Sequence, residues 1–307
     1  MQHVAPTPAV SVLMPVHNGA AYVDEAIESV VRQTCLDWEL IVVDDGSTDD
    51  TPEKLAAWAR RDARIIVLSP GRLGLVGASN AAVSAARGRY LARLDSDDIA
   101  APTRLARQLA YMERHPEVVV LGGGIRLFGE RSGWLFPPLT DWGCRGRLLF
   151  ENCFAHSTVM IRSDAVRASM PLYEASSEFA EDLSLWLKLA SCGRYANMPR
   201  VLASYRVHQR QISRDKAQLL RQKHARFAVA QWAKWGVLVA PEAFMRFRWP
   251  EVERGARWQV ARDSFSVVGA MIPLFRTQFA PMAAMWVLSV LLRNAIKMAL
   301  PAARSIL

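Results

Sequence analysis

Tyr90-Leu-Ala-Arg-Leu-Asp-Ser-Asp-Asp98 is the stretch on which the reading of this chain turns. An apolar strand runs into Asp95, Ser96, Asp97 and Asp98, so several carboxylates crowd one strand end. Carboxylates this close repel one another unless positive charge lies between them. A divalent ion with a preference for hard oxygen, Mg²⁺ or Mn²⁺, is the expected source of that charge, with a substrate phosphate as a further ligand. The stretch therefore points to chemistry on a diphosphate. A solvated acidic loop is the bland alternative.

Working outward, residues 10–16 form a short apolar run and residues 22–34 place Val23, Ala26, Ile27, Val30 and Val31 at helical spacing. Residues 38–43 are a second β-rich run, closed by Asp44-Asp45-Gly46-Ser47, and Thr51-Pro52-Glu53 opens a helix. Residues 65–68 predict a third strand, 75–87 an Ala-rich helix, and 89–94 the strand that delivers Asp95. Strands alternating with helices predict an α/β fold with a mostly parallel sheet flanked by helices. Ligands of such sheets sit beyond the carboxyl ends of the strands, where both acidic clusters fall. Further on, the pattern predicts a helix from Pro102 to about Arg114 and a strand over Glu117–Gly122. Gly122-Gly123-Gly124 and Gly133 are expected to punctuate a hairpin. Short strands are expected over Ser157–Ile161 and Val201–Val207, with helices over Leu183–Ala190 and about 214–235.

The chain has 307 residues and a net charge of +9, unevenly placed. From Arg200 onward there are 18 Lys/Arg against 5 Asp/Glu, a net +13, and residues 1–199 carry 20 against 24, a net −4. The basic part suits anionic lipid, nucleic acid or an anionic substrate. The four cysteines show no Cys-x-x-Cys spacing, so neither a zinc site nor a disulfide framework is expected. The amino terminus lacks the layout of a signal peptide, which favours a cytoplasmic setting.

Five segments in series resemble the family 2 glycosyltransferases, inverting nucleotide-sugar enzymes of the Rossmann-like GT-A fold. They are VSVLMPVHNGAAYVDEAIESVVRQT (10–34), WELIVVDDGSTDDT (38–51), GRYLARLDSDDIAAPTRLARQL (88–109), EDLSLWLKLA (181–190) and YRVHQRQIS (205–213). The resemblance implies a catalytic domain over residues 1–213 and a helical, basic and partly apolar extension over 214–307. It implies that Pro15, Val16 and Asn18 line the nucleotide base and that Asp44 accepts a hydrogen bond from it. A plain Asx turn is the other reading of Asp44. Asp97 is implied as the metal ligand, with Asp95 near the ribose or the metal, and Asp182 as the base that takes the acceptor's proton. Glu181 would support it, although acids at a helix start also complement the helix dipole. His208 is implied as a metal ligand or phosphate donor, Arg206 as a phosphate partner, and His156 as a neighbour of the sugar. A structural histidine is the alternative for both imidazoles.

The third loop departs from the family pattern Asn-x-Gly-x-x-x-Ala-Arg-Asn. It reads RLGLVGASN (72–80), with Arg72 at the usual Asn and Ser79 at the usual Arg. Nucleotide recognition is expected to differ there, with Arg72 as the candidate substitute. The implied partners are a nucleotide-sugar donor, UDP-linked first and GDP- or dTDP-linked next, and a saccharide or lipid-linked saccharide acceptor.

Residues 277–292 carry no charge and are flanked by Arg276, Arg293 and Lys297. This suits peripheral attachment to the cytoplasmic face of an anionic membrane, or else a buried helix or a dimer contact. A phosphatase of the haloacid dehalogenase type also uses Asp-x-Asp, but on a first strand and followed by Thr or Val. A nucleic-acid-binding protein would draw on the basic half, yet no nucleic-acid module is present in the sequence. Neither a Gly-x-Gly-x-x-Gly fingerprint nor a Walker loop follows the first strand.

Overall fold

The computed structural model describes residues 7–167, 169–177, 180–209, 216–234, 236–249, 264, 266–271 and 280–299. The first elements alternate as β1 (Val10–Val16), α1 (Val23–Val31), β2 (Trp38–Asp44), α2 (Thr51–Arg61), β3 (Ile65–Leu68), α3 (Gly74–Ala85) and β4 (Tyr90–Arg93). β1 and β2 are buried at every position, as strands covered on both faces must be. α1 turns Val23, Ala26, Ile27 and Val30 inward, one stripe at helical period. β1 pairs in parallel with β2 and β4, and β2 with β3. Because Val16 lies opposite Asp44 and Leu13 opposite Arg93, the carboxyl ends of β1, β2 and β4 open on one side of the sheet.

The chain continues through β5 (Ile99–Ala100), α4 (Arg104–Arg114), β6 (Val118–Gly129), β7 (Gly133–Leu135), α5 (Asp141–Leu148), β8 (Met160–Arg162), α6 (Ser163–Arg167), α7 (Glu181–Leu189) and β9 (Arg194–Val207). Among the described residues the nine strands form one sheet in the order β3-β2-β1-β4-β8-β6-β9-β5, with β7 on β6. β8 runs antiparallel to both β4 and β6, so the sheet is parallel in its first half and mixed beyond. β9 is parallel to β6 and antiparallel to β5, which brings Val207 close to the turn that follows β4.

The glycine run differs from expectation. Gly122–Gly124 lies inside β6, and the chain reverses between Gly129 and Gly133 instead. A Cβ at Gly123 would meet Leu202 at 2.6 Å, and one at Gly124 would meet the Phe136 ring at 2.6 Å. The glycines thus permit close packing by β9 and the segment after β7, and the β6–β9 register shifts at the same place.

Tertiary packing divides the chain into two compact units, residues 1–144 with 153–209, and residues 145–152 with 210–307. The sequence had suggested a second part beginning only at 214. Within the second unit are α8 (Ala217–Ala233), α9 (Pro241–Arg248) and α10 (Ala280–Ala299). The short segment 145–152 belongs there because Leu149 and Phe150 enter its aromatic core. Phe150 stacks on Trp286 with ring centroids 4.3 Å apart, and the Trp232 indole N–H donates to the Leu149 carbonyl at 2.6 Å. No helix among the described residues is long and apolar enough to cross a membrane.

Candidate active site

The acids after β4 each have a different partner. Asp95 Oδ1 accepts from Arg93 Nε and Nη2 at 2.9 and 2.7 Å, and Ser157 Oγ donates to Asp95 Oδ2 at 3.0 Å. Burial alone would raise this carboxyl, yet the Arg93 charge brings it below the usual range. Asp98 is fully buried and accepts the Arg206 backbone N–H at 2.9 Å, a bond that ties the end of β9 to the acidic turn. Burial, then the charges of Asp95 and Asp97, push Asp98 well above the ordinary aspartate value. Arg104, also buried, feels both Asp98 and Asp95, but desolvation still lowers it to about 9. Protein cations therefore offset part of the repulsion that the sequence had assigned entirely to a metal.

Asp97 pairs with an imidazole. His208 Nε2 stands 2.9 Å from Asp97 Oδ2, while burial and the Asp95 charge hold this carboxyl above its ordinary value. Arg206 donates from Nε to the Asp97 carbonyl at 3.0 Å and from Nη2 to Glu25 at 2.8 Å. Its guanidinium lies over the rings of Tyr22 and Phe128, and Tyr22 also packs against His208. Among the described residues no three His, Cys, Asp or Glu side chains converge into a protein-only metal cage. The Asp97–His208 spacing nonetheless fits a shared ion. Neighbouring ligands of an octahedral Mg²⁺ or Mn²⁺ at about 2.1 Å stand about 3 Å apart, and such ions take further ligands from phosphate and water. An imidazole ligand suits Mn²⁺ better than Mg²⁺.

Pro15 and Val16 end β1, and the Val16 carbonyl accepts the Asp45 N–H at 2.8 Å. Asn18 adopts a left-handed φ of 51°, tolerated by asparagine, and its Oδ1 accepts the Thr48 N–H at 2.8 Å. Asp44 Oδ1 accepts the Ser47 N–H, three residues on, at 3.0 Å, a local bond within the loop after β2. Arg72 turns to Asp45, meeting its carboxylate at 3.1 Å and its carbonyl at 3.0 Å. Asp45 in turn receives the N–H groups of Leu73 and Gly74, so it organises the start of α3.

Asp182 and Glu181 occupy the first turn of α7. Asp182 Oδ1 accepts the Leu183 N–H at 2.6 Å. Glu181 is buried, and desolvation followed by the Asp182 charge raises it to about 7. His156 Nε2 lies 3.0 Å from the Tyr173 hydroxyl, with Trp186 of α7 edge-on to its ring. Burial and the Arg93 charge push His156 down to about 3, so its ring is neutral at physiological pH. Burial raises the Tyr173 hydroxyl, the Arg93 charge opposes the rise, and the charges of Glu181, Asp95 and Asp182 add to it.

Two groupings thus emerge from the residues singled out in the sequence. Asp97, Arg206 and His208 meet where β4 and β9 end, and His156 packs on Tyr173 and on Trp186 of α7, the helix that Glu181 and Asp182 open. Arg72 joins neither and belongs to the α3 loop. Sequence reasoning missed Arg93, Ser157, Tyr22 and Tyr173. Arg93 alone left a trace, as a charged residue inside an otherwise apolar strand.

The family model described as "Glycosyl transferase family 2" matches residues 11–166. The O-antigen biosynthesis glycosyltransferase WbnJ of Escherichia coli is 31% identical over 235 residues, covering 73% of this chain and 89% of that protein. Among solved structures, Staphylococcus aureus TarS 1-349 in complex with UDP-GlcNAc superposes with a TM-score of 0.60 at 18% identity, covering 85% of this chain and 81% of that one. The mannosyltransferase PcManGT of Pyrobaculum calidifontis, in complex with GDP-Man and Mn²⁺, gives 0.54 at 18% identity, covering 95% and 88%. At these identities the two structures speak for the fold.

Proposed function

The chain belongs to glycosyl transferase family 2, and on that premise we propose that it moves a sugar, with inversion, from a nucleotide-sugar donor to a saccharide or lipid-linked saccharide acceptor. A UDP-sugar is the first choice of donor, and the reaction depends on a divalent metal. The observation that carries the reading is the 2.9 Å contact of Asp97 with His208, at the strand ends where such sheets bind ligands. Asp97 and His208 would hold Mg²⁺ or Mn²⁺ there. When bound, the ion supplies positive charge for the diphosphate oxygens as the leaving group departs.

The chain's own groups divide the remaining work. Asn18 and Asp44 face the base, with Pro15 and Val16 beneath it, and Asp95 orients the ribose. Arg206, braced over Tyr22 and Phe128, contributes fixed charge beside the diphosphate. Asp182 takes the acceptor hydroxyl's proton as that oxygen bonds to the anomeric carbon and the bond to the diphosphate breaks on the opposite face. Glu181, His156 and Tyr173 form the wall on which the transferred sugar rests. A thermal-shift screen of nucleotide-sugars with and without Mn²⁺, followed by assay of nucleoside diphosphate release, tests this reading. One donor class should raise the melting temperature only when metal is present, and no response to any donor would sink the assignment.

The second unit supports a membrane-facing role on an anionic surface. On α10, Trp286, Val287 and Val290 are buried while Met285, Leu288 and Leu292 are 72%, 68% and 60% exposed. The helix therefore has an apolar stripe left over after its core is satisfied, next to the strongly basic carboxy-terminal sequence. Residues 277–279 of the uncharged span 277–292, and the flanking Arg276, lie outside the described residues. Flotation with vesicles containing anionic phospholipid should carry the wild-type chain upward. The triple change Met285→Ser, Leu288→Ser, Leu292→Ser should leave it in the pellet fraction, and equal flotation of both would refute the role.

A further inference from the structure

Arg93 ends β4 with its side chain 4% exposed, a costly place for a guanidinium. Nothing in the packing of a strand requires charge there. Its fork spans two elements: Nε and Nη2 hold Asp95 Oδ1, and Nη1 donates to Ser79 Oγ on α3 at 2.9 Å. The Ser79 hydroxyl donates to the Leu75 carbonyl at 2.7 Å, which leaves its oxygen as an acceptor for Arg93. On its other side Asp95 receives the Ser157 hydroxyl at 3.0 Å, and the Asp95 N–H donates to the same Ser157 oxygen at 3.2 Å. The carboxylate is thus gripped from both sides in one rotamer. Ser79 is also the position where this chain carries no arginine although its loop otherwise follows the pattern at Gly74, Ala78 and Asn80.

We infer that Arg93 is a positioning residue for the donor, supplying from β4 a guanidinium in place of one at position 79 of α3 and fixing Asp95 toward the nucleotide's ribose. The inference rests on the nucleotide-sugar reading above. A lysine would not replace it, because one ammonium cannot reproduce a planar fork shared by Asp95 and Ser79. A small residue at 79 is part of the same device, since an arginine there would compete for the space that the Arg93 fork fills.

Binding of UDP and of inorganic pyrophosphate, each with Mn²⁺, tests this by calorimetry on the full chain. Wild type is read first, and a wild type that binds neither overturns the functional reading and this inference together. Given wild-type binding, Arg93→Met and Arg93→Lys should weaken UDP by about tenfold or more, the scale of one lost charge-assisted contact, while pyrophosphate is held nearly as before. Arg93→Met leaves a half-buried Asp95 without its cation, so Arg93→Met/Asp95→Asn serves as the folded control, with a melting temperature near wild type and UDP still weak. The exchange Arg93→Ser/Ser79→Arg, which moves the guanidinium from strand to helix, should return UDP affinity to within a few-fold of wild type. Wild-type UDP affinity in the folded control, or equal losses for UDP and pyrophosphate, would overturn the inference while leaving the functional reading intact.

Discussion

Asp97→Asn is expected to erase the metal-dependent part of donor binding and to lower turnover by at least about 100-fold, the several kcal/mol that a correctly placed metal charge contributes. The same change should cost the unliganded fold nothing. In the folded chain burial and the Asp95 charge both act against an ionised Asp97, as its raised value records. Removing that charge relieves a penalty, and an asparagine can still hydrogen-bond His208. The measurement is a pair of melting curves for each protein, with and without Mn²⁺ and UDP. Wild type should gain stability from the pair of ligands, whereas Asp97→Asn should start at the same temperature or higher and gain nothing. If the variant kept the wild-type ligand shift, the ion would have to be held elsewhere and the assignment of Asp97 would fall. A wild type insensitive to chelator would have the same consequence for metal dependence as a whole.

The parallel half of the sheet was legible because local signals agreed with one another. Apolar runs at 10–16, 38–43 and 65–68 lie between amphipathic helices, and Thr51-Pro52-Glu53 marks a helix start that the structure reproduces. The acids of the site were equally visible, since a strand that ends in several carboxylates has few bland explanations. Their partners were legible only where the family resemblance reached. His208 came from the segment 205–213, 111 residues from Asp97, whereas Ser157, 62 residues from Asp95, left no local signal. Arg93 is legible only as a charge inside an otherwise apolar strand, and its bond to Ser79, 14 residues away on α3, is not. The glycine run at 122–124 misled because consecutive glycines signal a turn locally. Its cause is the close approach of Leu202 and Phe136, which no short window contains. Likewise, a boundary at 213 puts residues 145–152 in the first domain, whereas Phe150 stacks on Trp286 and the segment packs with the second unit.

Asp182→Asn should separate catalysis from architecture at the start of α7. The substitution keeps the shape of the side chain and the oxygen that accepts the Leu183 N–H, so the helix start is preserved. What it removes is the capacity to take a proton. A positioned general base contributes roughly 10²–10⁴-fold, and turnover should fall by that order while UDP and donor binding with Mn²⁺ stay within about twofold. If the acids at 181 and 182 served only the helix dipole, the loss would be no more than about 1 kcal/mol of stability, with turnover nearly intact. Glu181→Gln provides the internal comparison. Desolvation and then the Asp182 charge raise Glu181 to about 7, the range of a competent general base at neutral pH, so it is the rival against which Asp182 is compared. Its replacement should leave turnover within about tenfold of wild type, well short of the loss assigned to a base. The opposite pattern, a silent Asp182→Asn and an inactive Glu181→Gln, would move the base by one residue along α7. Donor binding unaffected in both variants would show that the diphosphate end of the site works independently of the proton-accepting end. That independence matches the architecture, since Asp97 and His208 stand at the β4 and β9 ends while both acids open α7, a separate element.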